Sequence, residues 1–284
     1  MAAFQAACVQ LRAGRCVSNN IDEAVSLIRQ AALGGARFVQ TPEQTALMEL
    51  DRRALFENIT PEACDRGLAR LRRLADELNI WLHVGSLAVR VAPDRAANRA
   101  YLISPTGGIA ARYDKIHMFD VDLDGGESYR ESATYQPGSA VVVADLPWIR
   151  VGFSICYDLR FAYLYRALAK AGAGLLTAPA AFTKQTGAAH WHVLLRARAI
   201  ETGSFVIAAA QGGHHENGRD TFGHSLIINP WGEILAEAGT DPGIIMATID
   251  PAEVIAARKR IPALAHDRDI EAEGLPGPFE STSE

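Results

Sequence analysis

Three polar residues stand directly behind apolar stretches, the position where the carboxyl ends of strands gather ligands in α/β sheets. Glu43 follows Phe38-Val39-Gln40-Thr41-Pro42, Lys115 follows Ile109 to Asp114, and Cys156 follows Val151 to Ile155 and opens a helix. A cysteine in a sharp strand-to-helix turn sits near helix N-terminal N–H groups, which lower its pKa and can also hold an oxyanion. Each residue taken singly has an ordinary alternative: a small buried side chain for Cys156, a solvated loop carboxylate for Glu43, a surface charge for Lys115. The residues by themselves define a candidate thiol site.

The elements that would position these residues alternate along the chain. Residues 3 to 10 form an apolar stretch, and Asn20 can cap a helix whose apolar positions Ile21, Ala24, Val25, Ile28, Ala31 and Ala32 follow helical spacing up to Gly34-Gly35. Arg37 to Gln40 is a short strand. Thr60-Pro61-Glu62 starts a second helix with Leu68, Leu71, Leu74, Ala75 and Leu78 on one stripe. Ile80 to Val89, Asn98 to Ile103 and Ile109 to Tyr113, separated only by turns, are expected as neighbouring antiparallel strands. The alternation then resumes. Val151 to Ile155 is a buried strand, a helix runs through Tyr163, Leu164, Leu168 and Ala171, and Gly174 to Thr177 is a strand. His190 to Thr202 is a helix stopped at Gly203, Ser204 to Ala210 a buried strand, and Asn229-Pro230-Trp231-Gly232 a turn between two more strands. The expected fold is α/β: two mixed sheets face to face with helices outside, in one domain over residues 1–266. The acidic Gly-, Pro- and Ser-rich tail, residues 267–284, is expected to be flexible or laid on a partner subunit.

Composition narrows the function. With 284 residues, 49% of them hydrophobic, the chain can fill one large core. A net charge of -5 with scattered Lys and Arg argues against a nucleic-acid partner. Apolar runs too short for a membrane span, and an N-terminal MAAFQAACVQL without a basic flank, point to the cytoplasm. Cys8, Cys16, Cys64 and Cys156 show no C-x-x-C spacing and are expected as free thiols. His190 and His192 point to different faces of a helix and His214-His215 lie in a Gly-rich loop, so no metal site is expected, nor a cofactor.

Taken together, Thr41-Pro42-Glu43, Arg112-Tyr113-Asp114-Lys115-Ile116-His117-Met118-Phe119-Asp120 and Cys156-Tyr157-Asp158-Leu159-Arg160-Phe161 resemble, in order, the three signature segments of the nitrilase (carbon-nitrogen hydrolase) superfamily. The resemblance continues through His190-Trp191, Arg196-Ala197-Arg198-Ala199-Ile200-Glu201, Gly223-His224-Ser225 and Asn229-Pro230-Trp231-Gly232. It is greatest to the Nit branch, which holds deaminated-glutathione amidases and omega-amidases. It implies a four-layer α-β-β-α sandwich and a homodimer or higher homo-oligomer. It also implies catalysis by Cys156 as nucleophile, Glu43 as general base and acid, Lys115 facing the oxyanion with the backbone N–H of Tyr157, and a second glutamate that orients the site. Glu131 fits that last place better than Glu127.

The implied reaction is hydrolysis of a terminal carboxamide of a small acidic substrate, deaminated glutathione first, to a carboxylate and ammonia through a thioester. Omega-amidase action on 2-oxoglutaramate, a carbamoylase, a nitrilase and a catalytically silent scaffold are the alternatives. For the substrate carboxylate the resemblance points to Arg160 and Thr186; their structural alternatives are pairing of Arg160 with Asp158 and helix capping by Thr186. Departures from the family pattern include Ala162 for Pro, Ala180 for Ser and His192 for Glu, which put substrate choice in question more than chemistry.

Overall fold

The structure, a computed structural model, describes residues 2–123 and 128–268. Its strands, in chain order, are β1 Phe4–Gln10, β2 Phe38–Gln40, β3 Trp81–Ala92, β4 Arg95–Ile103, β5 Ile109–Asp114, β6 Asp120–Asp122, β7 Ser128–Arg130 and β8 Val143–Asp145. They continue with β9 Arg150–Gly152, β10 Leu175–Thr177, β11 Phe205–Ala208, β12 Gly212–His214, β13 Asp220–Phe222, β14 Leu226–Ile228, β15 Ile234–Glu237 and β16 Gly243–Ile249. The helices are α1 Val17–Leu33, α2 Arg52–Asn58, α3 Arg66–Leu78, α4 Ala162–Lys170, α5 Lys184–Thr202 and α6 Pro251–Arg260.

One sheet has the order β16-β1-β2-β3-β4-β5 and the other β15-β14-β11-β10-β9-β8. In each, three parallel strands (β1, β2, β3 and β9, β10, β11) are flanked by antiparallel ones. Period-two alternation makes the layers. Ala6 and Cys8 of β1 and Ala100 and Leu102 of β4 pack with Leu175, Ile207 and Ile227 of the other sheet. Their neighbours Ala7, Val9, Tyr101 and Ile103 pack instead with Ile21, Ile28, Leu71 and Leu74 of α1 and α3. Leu164 and Leu168 of α4 and Trp191 and Leu195 of α5 close the far side of the second sheet. The result is the expected α-β-β-α order of layers.

Boundaries differ where local chemistry decides them. α1 begins at Val17, not after Asn20; the buried Asn20 amide accepts from Gly14 N–H and donates to the carbonyls of Gly14 and Ala46, tying the β1–α1 loop to the segment after Glu43. Glu62–Cys64 is a single 3₁₀ turn, and α3 starts after Asp65, whose carboxylate accepts from Leu68 N–H. α5 starts at Lys184, six residues before His190, after Thr183. Asp267, at the start of the tail, accepts from Arg166 and Lys170 of α4; residues 269–284 lie outside the described residues, as does Glu127.

Candidate active site

The carboxyl ends of the parallel strands of both sheets meet at one place, and loops from each deliver a residue there. Beyond β9 the chain stays buried through Phe153-Ser154-Ile155 and then turns sharply, with Cys156 at φ 49°. That left-handed conformation is costly for a residue with a Cβ and is held by its surroundings. Cys156 N–H donates to Pro179 O at 2.9 Å, beyond β10. Asp158 closes the turn: one carboxylate oxygen accepts from Ile155 N–H and Tyr113 O–H (2.9 and 2.6 Å), the other from His117 N–H and the His117 ring. Asp158 of one motif and Tyr113 and His117 of the other therefore lock the cysteine turn to the lysine segment. Arg198 of α5 supports the same turn, donating twice to Leu159 O at 3.0 and 2.9 Å. Trp191 Nε1 donates to His224 O, joining two further motifs.

Glu43 hangs from a loop held close to β3. Gly85 N–H donates to Thr41 Oγ1 and Ser86 N–H to Pro42 O. A Cβ on Gly85 would collide with Thr41 O and stand 2.5 Å from both Pro42 O and Pro179 Cβ, so only glycine permits the approach. Glu43 Oε1 accepts from Lys115 Nζ and Asn98 Nδ2, both at 2.9 Å, and Oε2 accepts from Ala181 N–H at 2.9 Å. Lys115 Nζ also donates to both oxygens of Glu131 (3.1 and 2.8 Å), and Glu131 Oε2 accepts from Phe119 N–H at 2.7 Å. Asn98 Nδ2 bridges the two glutamates, reaching Glu131 Oε1 at 3.1 Å. Glu43, Lys115 and Cys156 are 3%, 2% and 7% exposed, so the ammonium sits between two carboxylates in a nearly dry site.

Burial sets the protonation states. It raises the Cys156 thiol well above its ordinary value; the negative charge of Glu43 raises it further and Lys115 partly offsets both. The expectation of a thiol acidified by a helix N-terminus is thus corrected. Cys156 opens only a five-residue 3₁₀ turn, Cys156–Arg160, in which desolvation outweighs any dipole. Burial also pushes Glu43 upward, but the charge of Lys115 and the hydrogen bond from the Cys156 thiol bring it below its ordinary value. Lys115 is pushed down by burial and up by Glu131 and Glu43, and ends well above its ordinary value. At neutral pH the resting set is a protonated thiol beside an ionised carboxylate and an ammonium.

A cavity opens over this set. Glu43, Lys115, Glu131 and Cys156 lie on it with Tyr157 and Thr186, walled by Phe119, Tyr129, Phe182 and Arg219. Thr186 stands in the first turn of α5 and shares a hydrogen bond with Thr183 Oγ1, so it is not the capping residue of that helix. Arg160 does not line the cavity. Its guanidinium lies over the rings of Tyr157 and Phe182, which do, and contacts His190 Nδ1 at 3.3 Å; Asp158 is engaged elsewhere. Asn98, Ala181 N–H and Arg219 were missed from sequence. Asn98 had a signal, a polar residue within the apolar run of β4 on its way to burial. His192, His224 and Glu237 also meet, their ligand-type atoms within 4.8 Å, with Glu237 Oε1 2.9 Å from both imidazoles.

The carbon-nitrogen hydrolase family model matches residues 5–259, and the chain belongs to that family. It is 39% identical over 268 residues to a deaminated glutathione amidase from Yersinia enterocolitica, covering 93% of each. To an omega-amidase from Homo sapiens it is 35% identical, over 94% of this chain and 96% of that one. Among solved structures it resembles the C. elegans NitFhit protein with a TM-score of 0.87 and 33% identity, spanning 94% of this chain and 65% of that longer one. It also resembles an amidase from Nesterenkonia sp. AN1 in which acrylamide has added to the active-site cysteine, with a TM-score of 0.77 and 25% identity over 91% of this chain and 98% of that one. Among the described residues no helix is long and apolar enough to cross a membrane.

Proposed function

We propose that the chain is a thiol amidase acting on a small acidic amide, with deaminated glutathione as first substrate. The observation that carries this is that Cys156, Glu43 and Lys115 lie buried together on one cavity, with Lys115 bonded to Glu43. Glu43 takes the thiol proton as the sulfur bonds to the amide carbon, which resolves the raised thiol pKa: the thiolate forms only as it attacks. Lys115 and the backbone N–H of Tyr157 hold the oxyanion, and one such preorganised donor contributes about 3 kcal/mol. Glu43 then protonates the departing nitrogen as the C–N bond breaks. It next deprotonates the water that attacks the thioester, and the thiol recovers its proton as the C–S bond breaks. Glu131, Asn98 and Ala181 N–H fix the carboxylate and ammonium in register for these transfers.

With a primary amide the nitrogen leaves as ammonia. With deaminated glutathione the scissile amide is secondary and the nitrogen leaves on a dipeptide. 2-Oxoglutarate is the other product from both deaminated glutathione and 2-oxoglutaramate. Similarity to amidases of both names supports the acidic 2-oxo class, and omega-amidase action on 2-oxoglutaramate is the second reading. The same reading takes residues 1–266 as one catalytic domain with 267–284 as an appended tail, and the enzyme as a cytoplasmic homodimer. The test is 2-oxoglutarate release from deaminated glutathione and from 2-oxoglutaramate, beside ammonia release from a simple nitrile, with Cys156→Ala as blank. Fastest turnover of deaminated glutathione supports the proposal, and fastest turnover of 2-oxoglutaramate transfers it to the omega-amidase reading. Turnover that survives in the blank rejects the mechanism.

A further inference from the structure

A cation on the cavity wall lacks a counter-ion, and its placement deepens the amidase reading on which this inference rests. Among the described residues four cationic side chains line the cavity. Lys115 is held by Glu43 and Glu131, Arg130 by both oxygens of Asp122 at 2.8 Å, and Arg52 is exposed at the rim, donating to Asp94 O. Arg219 is different. Its Nη2 donates to Ala181 O, its Nη1 has only the Met48 sulfur at 4.0 Å, and its buried Nε has no partner. Among the described residues no carboxylate pairs with it. Its guanidinium carbon is held 5.2 Å from the centre of the Tyr129 ring, another cavity residue.

A half-buried guanidinium with two nitrogens short of oxygen acceptors is expensive to keep unless a ligand supplies the anion. Arg219 also stands near the reacting groups: Ala181, whose carbonyl it holds, donates its N–H to Glu43 Oε2. We propose that Arg219 binds a carboxylate of the acyl part of the substrate and so selects acidic amides over neutral ones. Arg160, behind the rings of Tyr157 and Phe182, acts through those rings rather than on the carboxylate.

Glutarate, a dicarboxylate that cannot be hydrolysed, is the probe because its binding needs no turnover. Calorimetry should show glutarate bound by the wild-type protein and at least about tenfold more weakly by Arg219→Gln, since hydrogen bonds to charged groups carry that much or more. Arg219→Lys, which keeps the charge without the fork, should fall between, and Arg160→Lys should stay close to wild type. Propionamide, tested in the same way with Cys156→Ala added to both proteins so that it is not consumed, reads any loosening of the loop at Ala181 and should weaken far less than glutarate in Arg219→Gln. Equal glutarate affinity in wild type and Arg219→Gln, equal weakening of glutarate and propionamide, or no glutarate binding at all would overturn the proposal. Glutarate binding that depends on Arg219, in a protein that hydrolyses no amide, would leave this anion site standing and reject the amidase reading instead.

Discussion

Replacing Lys115 by Met removes one charge from the middle of the site and keeps most of the side chain's volume. Lys115 is 2% exposed and gives hydrogen bonds at 2.9, 3.1 and 2.8 Å to two carboxylates. Breaking a buried pair in this way costs roughly 3–5 kcal/mol, because the orphaned charge stays buried. At roughly 2–4 °C per kcal/mol for a chain of this size, the thermal midpoint should fall by roughly 10 °C at pH 7. The loss should also depend on pH. In the wild type Glu43 lies below its ordinary value near 4.5, so its contribution is present above pH 4.5 and lost as pH falls through the folded value. Without Lys115, burial dominates and Glu43 rises above 4.5, so the variant is penalised as pH climbs through that raised value. The gap between the two midpoints, followed by calorimetry, should widen from pH 4.5 to pH 7. Adding Glu131→Gln should recover part of the loss, a non-additivity expected of groups in one network. A midpoint within about 2 °C of wild type, or a gap that does not change with pH, would refute this electrostatic account.

Gly85→Ala forces a Cβ into Thr41 O, Pro42 O and Pro179 Cβ, and should cost about 3 kcal/mol with at least a tenfold loss of kcat, because Glu43 and the acceptor of Cys156 N–H both shift. Gly243→Ala, with nothing within 4 Å of the new atom, is the control and should keep wild-type turnover. His83 is buried between the sheets against Phe38 and Phe153, bonded to Gln40, and burial lowers its pKa to about 3 from an ordinary 6.5. Below pH 6.5 the unfolded chain gains a proton the folded chain refuses, so stability falls by about 1.4 kcal/mol per pH unit toward pH 3. His83→Gln should remove this, moving the difference in unfolding free energy by about 2 kcal/mol between pH 6.5 and 5 in the variant's favour. Parallel denaturant-derived stability profiles for the two proteins would count against it.

Local signals foretold the layers, and the three strand-end residues they singled out, Glu43, Lys115 and Cys156, come together on one cavity. Alternating apolar residues in β1 and β4 specify which neighbour faces the second sheet and which faces α1 and α3, and that rule is written in the chain. Glu43, Lys115 and Cys156 stand at strand ends, and strand ends are legible. What sequence did not disclose is long-range. Asn98 becomes a bridge only when β4 brings it between Glu43 and Glu131, and Ala181 N–H only when the loop after β10 folds over Glu43. The thiol's protonation failed for a related reason: a local view sees a helix start, whereas burial by both sheets decides the outcome. The family resemblance points to Arg160 for the substrate carboxylate; the 3₁₀ turn places its guanidinium over the rings of Tyr157 and Phe182, while Arg219, distant in sequence, lines the cavity.

The central claim is that Cys156 is acylated during turnover. Acid quenching of the wild-type protein in mid-turnover, first with deaminated glutathione and then with 2-oxoglutaramate, followed by peptide-mapping mass spectrometry, reads this directly. The same 2-oxo acyl mass on the Cys156 peptide from both substrates, absent in Cys156→Ala, is the expected result. Undiminished turnover in Cys156→Ala, or an acyl group on Cys8, Cys16 or Cys64 instead, would contradict it.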